Sequence, residues 1–192
     1  MASKIKVDQL ETADGTGTIA LQNQLSGMTN TSLPSGAVLQ MKYANPDCET
    51  ISIATASWTR LASSLAVSIT PIYSDSILEI ECFFMFGGSN SSNITHFKIH
   101  DDTNGSDVNI SGTGNNRQGV HGSARQVDAD INDCDMMTIK VTTTASNTNA
   151  RSYSLYAKNE SGTTEKTFFG NKSNTSALGY AKPYIKVTEY KA

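Results

Sequence analysis

Short runs in which apolar and polar residues alternate dominate this chain, and no stretch longer than about one turn shows a helical period. The strongest run, "ILEIECFFMFGG", places one set of apolar side chains on a single strand face, namely Leu78, Ile80, Cys82, Phe84 and Phe86. Shorter runs such as "SLAVSITP" and "YIKVTEY" follow the same period. About eight to ten such strands, separated by turn residues, predict an all-β, antiparallel, jelly-roll-like sandwich. A parallel α/β sheet is disfavoured because no helical interlude is long enough for a crossover.

The composition narrows the classes of function. Hydrophobic residues make up 38% of the chain and charged residues 17%, and Ser, Thr and Asn are abundant. These three residue types compete with helical hydrogen bonds through their own side chains. A formal net charge of −3 gives no bulk attraction for nucleic acid. We expect no membrane insertion, because the longest apolar run, 82–86, is too short to span a bilayer and the first residues lack a signal-peptide core.

The three cysteines are odd in number and widely spaced, at Cys48, Cys82 and Cys134. This pattern predicts no disulfide framework. Cys82 lies within the strongest strand, so we expect it to behave as a small buried hydrophobe. Reduced cysteines suit a protein that folds in a cytoplasm.

The first 25 residues predict a hairpin with too little core of its own. Two alternating runs flank "ADGTG", and few apolar side chains are available on either run. An isolated hairpin of this kind is marginal in water, so we expect it to pack against a partner surface or to order only on docking. The linker "SGMTNTSLPSG" follows, and the sequence therefore predicts an N-terminal segment at 1–35 and a β-domain at 36–192.

Candidate catalytic and metal-binding patterns are weak. A nucleophile elbow, a phosphate-binding loop and zinc-finger spacing are absent from the sequence, and "GTGNNRQG" predicts a flexible loop. His96 and His100 would share a strand face about 13 Å apart, so we expect them to face solvent. Three copies of one histidine around a threefold axis are an open alternative for a metal. Glu79 and Glu81 would also share a strand face, but we expect no enzyme and no cofactor.

An acidic stretch, "DADINDCD", begins with calcium-loop spacing at Asp128, Asp130, Asp133 and Asp135. It lacks the glycine and the glutamate that complete such a loop. A polar turn whose carboxylates bond local backbone N–H groups is the preferred interpretation.

Polar loops with nearby aromatic residues are candidates for contact with a receptor or a sugar. We expect these loops at 87–93, 101–118 and 158–164. Their candidate receptor-facing residues are Asn90, Asn93, Asp101, Asn104, Asn115, Arg117 and Asn159.

Four segments resemble tail-fibre-like virion structural proteins of bacteriophages, of the marine cyanophage type. "KIKVDQLETADGTGTIALQNQLSGM" followed by "SLPSGAVLQ" resembles their N-terminal segment, "LAVSITPIYSDSILEIECFFMFGG" two strands of their β-domain, and "YIKVTEYKA" its closing strand. The chain lacks a long repetitive shaft, so the resemblance implies a compact fibre or spike on the tail or capsid, located in virions assembled in the host cytoplasm.

The resemblance also implies a homotrimer that is anchored to other virion proteins through residues 1–35. The side chains expected at that anchor and trimer interface are Ile5, Val7, Leu10, Ile19, Leu21 and Leu25. Burying each of them would contribute roughly 1.5–3 kcal/mol. A glycan or protein of the host surface is a further candidate partner. The alternative from another class is a monomeric carbohydrate-binding β-sandwich that does not need residues 1–35.

Overall fold

The computed structural model describes residues 30–46, 51–53, 55–88, 94–110, 119–125, 134–160, 166–169 and 181–192. The chain divides after Leu33, and residues Pro34–Ala192 form one compact unit. The six residues predicted at the anchor, from Ile5 to Leu25, lie outside the described residues.

The described residues confirm an all-β fold, with a short 3₁₀ turn at Asn30–Ser32 as their only helical element. The strands are β1 (Val38–Ala44), β2 (Ile51–Ile53), β3 (Thr59–Arg60), β4 (Ala66–Ile69), β5 (Ile77–Gly88), β6 (Ile94–Asp101), β7 (Ser106–Asp107), β8 (Gly122–Arg125), β9 (Cys134–Thr144), β10 (Arg151–Asn159), β11 (Lys166–Phe169) and β12 (Tyr184–Tyr190). None of the described residues forms a helix long and apolar enough to cross a membrane.

The first of two antiparallel sheets is built around β5. One edge of β5 pairs with β9 along 11 residues, and the other edge pairs with β12 and then with β11. Beyond these, β1 pairs with β12, and β2 pairs with β11. Every other strand of this sheet therefore pairs with β5 either directly or through one intervening strand.

The second sheet is built around β6 and β10, which pair along seven residues. The other edge of β10 pairs with β3 and β4, and the other edge of β6 pairs with β7 and β8. From Asp101 to Gln126 the chain is mostly Gly, Asn, Ser, Asp and Thr, so the sequence predicts a long loop with at most one short strand, "DVNIS". The structure instead places two short strands from it, β7 and β8, against β6.

The core lies between the two sheets, as a β-sandwich requires. The Phe84 and Phe97 rings, one from each sheet, have centroids 4.8 Å apart, and those of Phe86 and Phe97 are 5.4 Å apart. The predicted inward faces are confirmed for β4 and β5, whose buried side chains include Leu78, Ile80, Cys82, Val67 and Ile69. Burial raises the pKa of the Cys82 thiol, so it is an inert packing group.

Strand β1 departs from the predicted simple alternation. The sequence predicts Leu39 and Met41 on the face opposite Val38 and Gln40. A register shift between Val38 and Gln40 breaks that alternation, so that Leu39 and Gln40 are both half-buried and Met41 is exposed. A bulge inserts an extra residue and re-aims the side chains that follow it.

Glu189 holds β12 to two other parts of the chain. Its carboxylate is fully buried and accepts hydrogen bonds from the Ile72 N–H at 2.7 Å and the Tyr73 N–H at 3.3 Å. The other oxygen accepts from the Gln40 side chain at 2.6 Å. This polar group therefore fixes β1 and the connection between β4 and β5 against the closing strand.

The His121 side chain bonds backbone groups between β7 and β8, at the edge of the second sheet. The Ile99 N–H donates to its Nδ1 at 2.9 Å, and its Nε2 donates to the Val108 carbonyl at 2.7 Å. This arrangement requires the neutral ring, because Nδ1 must accept. Burial lowers the pKa of His121 below its ordinary value of 6.5, although the Val108 carbonyl partly opposes that shift.

We predict that His121 makes the free energy of unfolding fall as the pH decreases below about 6.5. The sign follows because the unfolded chain binds the proton more readily than the folded one, and the loss ends once the pH is below the folded pKa. His121→Gln keeps a donor and an acceptor but cannot titrate, so its denaturant-measured stability should fall less between pH 7 and pH 5. Parallel pH profiles for the two proteins would contradict this role.

Candidate functional site

The outer face of the first sheet carries the clearest candidate surface. Here "assembly face" denotes the outward side chains of β1, β12, β5 and β9. The exposed large hydrophobic side chains of the described residues all lie on these strands, and they are Val38, Met41, Tyr43, Ile77 and Met136. Such a concentration on one face is typical of an interaction surface rather than of scattered surface residues.

Aromatic rings join across the strands of the assembly face. The Tyr43 and Tyr184 centroids are 5.6 Å apart, and the Phe83 and Tyr184 rings stack at 5.7 Å with an interplanar angle of 23°. Met85 and Met136 lie opposite each other in the ladder between β5 and β9. The face therefore offers rigid aromatic and adaptable thioether groups, the types enriched at protein interfaces.

Glu79 and Glu81, the two glutamates of β5, lie at the centre of the assembly face. Lys140 approaches Glu79 at 2.9 Å, and Lys186 approaches Glu81 at 3.1 Å. Glu81 lies directly between these two lysines, since β12 and β9 place Lys186 and Lys140 opposite it. The central charges are thus matched within the chain.

Tyrosine hydroxyls also contact the two carboxylates. The Tyr184 hydroxyl donates to Glu81 at 2.6 Å, and the Tyr190 hydroxyl lies 3.4 Å from Glu79. The Tyr184 bond is the main reason that the pKa of Glu81 is lowered, with Lys186 acting in the same direction. A carboxyl with a lowered pKa is ionised at neutral pH and is a poor proton donor for acid catalysis.

The same bond raises the pKa of Tyr184 to about 12. We predict that Glu81→Gln lowers the pKa of Tyr184 towards its ordinary value near 10, because the phenolate no longer forms beside a carboxylate. A ¹³C NMR titration of the tyrosine ring carbons measures this shift.

Glu79→Gln is the matched control, since it removes a carboxylate from the same strand face and leaves the Tyr184–Glu81 bond in place. Its Tyr184 pKa should stay close to that of the parent protein. An unchanged Tyr184 pKa in Glu81→Gln would contradict the assigned hydrogen bond.

The outer face of the second sheet is polar and rich in cations. The Lys98 ammonium lies 4.3 Å and that of Lys158 4.9 Å from the centroid of the Trp58 ring. Lys98 pairs with Asp107 at 2.6 Å, and Asp107 also bonds the His100 ring at 2.7 Å. Desolvation opposes these bonds, yet the hydrogen bonds from Lys98 and then from His100 hold the pKa of Asp107 below its ordinary value.

A second carboxylate organises the neighbouring part of that face. Asp102 accepts from the Ser154 hydroxyl at 2.6 Å and from the Tyr156 hydroxyl at 3.1 Å, and Arg60 lies 3.2 Å from it. Arg60, Tyr156 and Lys98 are directly opposite one another across β3, β10 and β6. Sequence patterning did not identify this group, because its members come from distant parts of the chain.

The prediction that His96 and His100 share an outward strand face is confirmed, but the prediction that they face solvent was wrong for His96 and is met only in part by His100. His96 is 2% exposed, and its Nδ1 lies 2.7 Å from the Ser123 hydroxyl. His100 is half-buried between Asp107 and the Tyr156 ring, whose centroid is 4.7 Å away. Both rings do point outward, but neighbouring strands and side chains cover them. Across the part of the chain that the structure describes, no group of three or more His, Cys, Asp or Glu residues could hold a metal ion.

Only three of the residues predicted to face a receptor lie in described parts of the chain, and two of them are buried. Asp101 caps its own turn by accepting from the Thr103 and Asn104 N–H groups, each at 3.0 Å. Asn159 is fully buried, where it donates to the Ile53 carbonyl and accepts from the Thr95 hydroxyl. Asn104 alone is exposed. The others lie outside the described residues, namely Asn90, Asn93, Asn115 and Arg117, and so do Asp128, Asp130 and Asp133.

A scan against models of protein families finds no match to this sequence, and a search of curated proteins finds none either. A function for this chain is therefore inferred from the two outer faces of the sandwich.

Proposed function

We propose that this chain is a non-enzymatic structural protein of a bacteriophage virion, a compact trimeric fibre or spike that attaches through residues 1–35. The observation that carries the proposal is the confinement of the exposed large hydrophobic side chains of the described residues to one face of the sandwich. A jelly-roll-like strand order, a threefold arrangement and contact with a host surface belong to the same proposal.

The partner for the assembly face is a second copy of this chain. Glu79 and Glu81 already have matched lysines, so an identical face can approach without leaving an unpaired charge in the interface. Around a threefold axis neighbouring copies meet through different parts of the same face, so that the apolar rim of one copy contacts another part of the face of the next.

The sequence resemblance supports a virion location. One of its segments covers β4 and β5, and another covers β12, which pairs directly with β5 along seven residues in the middle of the first sheet. The resemblance therefore involves the strands that display the assembly face, together with the N-terminal segment. Other virion proteins remain the proposed partners of that segment.

We predict that the full chain has a solution mass of three times 20.6 kDa, and that Met41→Lys combined with Met136→Lys reduces it to one copy. Both methionines are more than half exposed, so the substitutions should leave the sandwich folded while they place unmatched cations in the interface. Light scattering measures the mass, and the thermal unfolding midpoint checks the fold.

Ser68→Lys is the control, because Ser68 is an exposed residue of β4 in the other sheet. This variant should stay trimeric. A trimer that survives both methionine substitutions would contradict the assignment of the assembly face.

The N-terminal segment makes a separate contribution to assembly. We predict that Ile19→Asp combined with Leu21→Asp abolishes the trimer or its incorporation into virions, because charged side chains cannot be buried at the anchor. The circular dichroism of the β-domain should be unchanged. An intact trimer that still enters virions would overturn the anchoring role.

A single-copy mass for the unmodified full chain would favour the alternative, a monomeric carbohydrate-binding module. That outcome would contradict the trimeric proposal directly, because the alternative requires no assembly.

A further inference from the structure

The outer face of the second sheet holds a cation that the described residues do not neutralise. Lys98 is paired with Asp107, and Arg60 with Asp102. Lys158 shares the Trp58 ring with Lys98, yet no acidic group among the described residues lies within ion-pair distance of its ammonium. Two ammonium groups at one ring repel each other, so an added anion would be favourable there.

Arg60 gives a second indication that a ligand can bind on this face. Its guanidinium bonds Asp102 through Nη2, while its Nε is buried and has no hydrogen-bond partner in the described structure. Buried donors are normally satisfied, and an unsatisfied one often marks a missing ligand or water. Arg60 lies beside Tyr156, which is two residues from Lys158 on the same outward side of β10.

The remaining groups on this face suit a hydroxylated ring better than a bare anion. Trp58 and Tyr156 are partly exposed aromatic side chains, which offer flat surfaces for the apolar side of a sugar. Asp102 and the half-buried Asp107 have carboxylate oxygens that accept from hydroxyls. Tyr156 and Asp107 lie on paired strands, and Trp58 and Asp102 lie directly beside the ends of β3 and β6, so the arrangement is largely preformed.

We propose that this face binds an acidic saccharide of the uronate type, with the sugar carboxylate on Lys158 and the ring against Trp58. Arg60 and Tyr156 lie beside the bound saccharide, on the neighbouring row of outward side chains across β3 and β10. The site belongs to the opposite sheet from the assembly face and goes beyond the proposed assembly. A single sandwich contains all of these residues, so binding does not depend on the trimer.

The test uses the full chain, in which Trp58 is the only tryptophan and thus reports directly on the site. Trigalacturonate and trimannuronate are titrated against the protein while tryptophan fluorescence is followed. We expect a saturable change with at least one of them and a weaker interaction at high salt. The fully methyl-esterified trigalacturonate, which lacks the charge, should bind at least about tenfold more weakly.

Lys158→Gln should weaken the uronate by about tenfold, whereas Lys140→Gln, on the assembly face, should leave its affinity unchanged. No fluorescence change with either uronate, equal binding of the methyl ester, or full affinity in Lys158→Gln would each overturn the proposal. Sodium sulfate that competes at the affinity of the uronates would show an anion site only, and would overturn the saccharide assignment. The Met41→Lys, Met136→Lys protein should bind as the parent does, so failure of this site and failure of the assembly face give separate results.

Discussion

The alternation within β5 is the constraint on which the rest of the sandwich depends. Its inward side chains, from Leu78 to Phe86, form the centre of the core and meet the second sheet through Phe97. Because a strand has a period of two, the same register fixes which side chains face outward. Glu79, Glu81 and Phe83 are therefore presented on the outside by the packing that buries their neighbours.

The outer faces of the two sheets differ in their chemistry. On the first sheet, carboxylates are neutralised within the face, and what remains available is aromatic and methionine surface. On the second sheet, Lys98 and Arg60 are paired with carboxylates, the described residues place none at Lys158, and Trp58 lies beside the Lys98 and Lys158 ammonium groups. The first arrangement suits coverage by another protein surface, and the second suits a small anionic ligand. We propose that this division gives one compact domain both an assembly side and a binding side.

Much of the fold could be predicted from the sequence, because the alternation in β4, β5 and β12 identifies the buried faces residue by residue. The bulge in β1 could not be predicted, since nothing in "AVLQMKYA" marks an extra residue. The burial of His96 and Asn159 depends on neighbours from distant strands, Ser123 for one and Thr95 and Ile53 for the other. A pattern within one strand shows which way a side chain points but not what covers it. For the same reason, neither outer face could be assembled from the sequence alone.

The most direct test of the account is whether the assembly face of one copy touches that of another. Copies with labelled methionine methyl groups would be mixed with copies that carry protonated aromatic rings on a deuterated background. Intermolecular nuclear Overhauser effects would then be recorded on the proposed trimer of the full chain. We predict contacts from the methyl groups of Met41 or Met136 to the rings of Tyr43 or Phe83 in a neighbouring copy. A trimer in which those methyl groups show no intermolecular contact and remain accessible to a soluble paramagnetic agent would contradict this prediction.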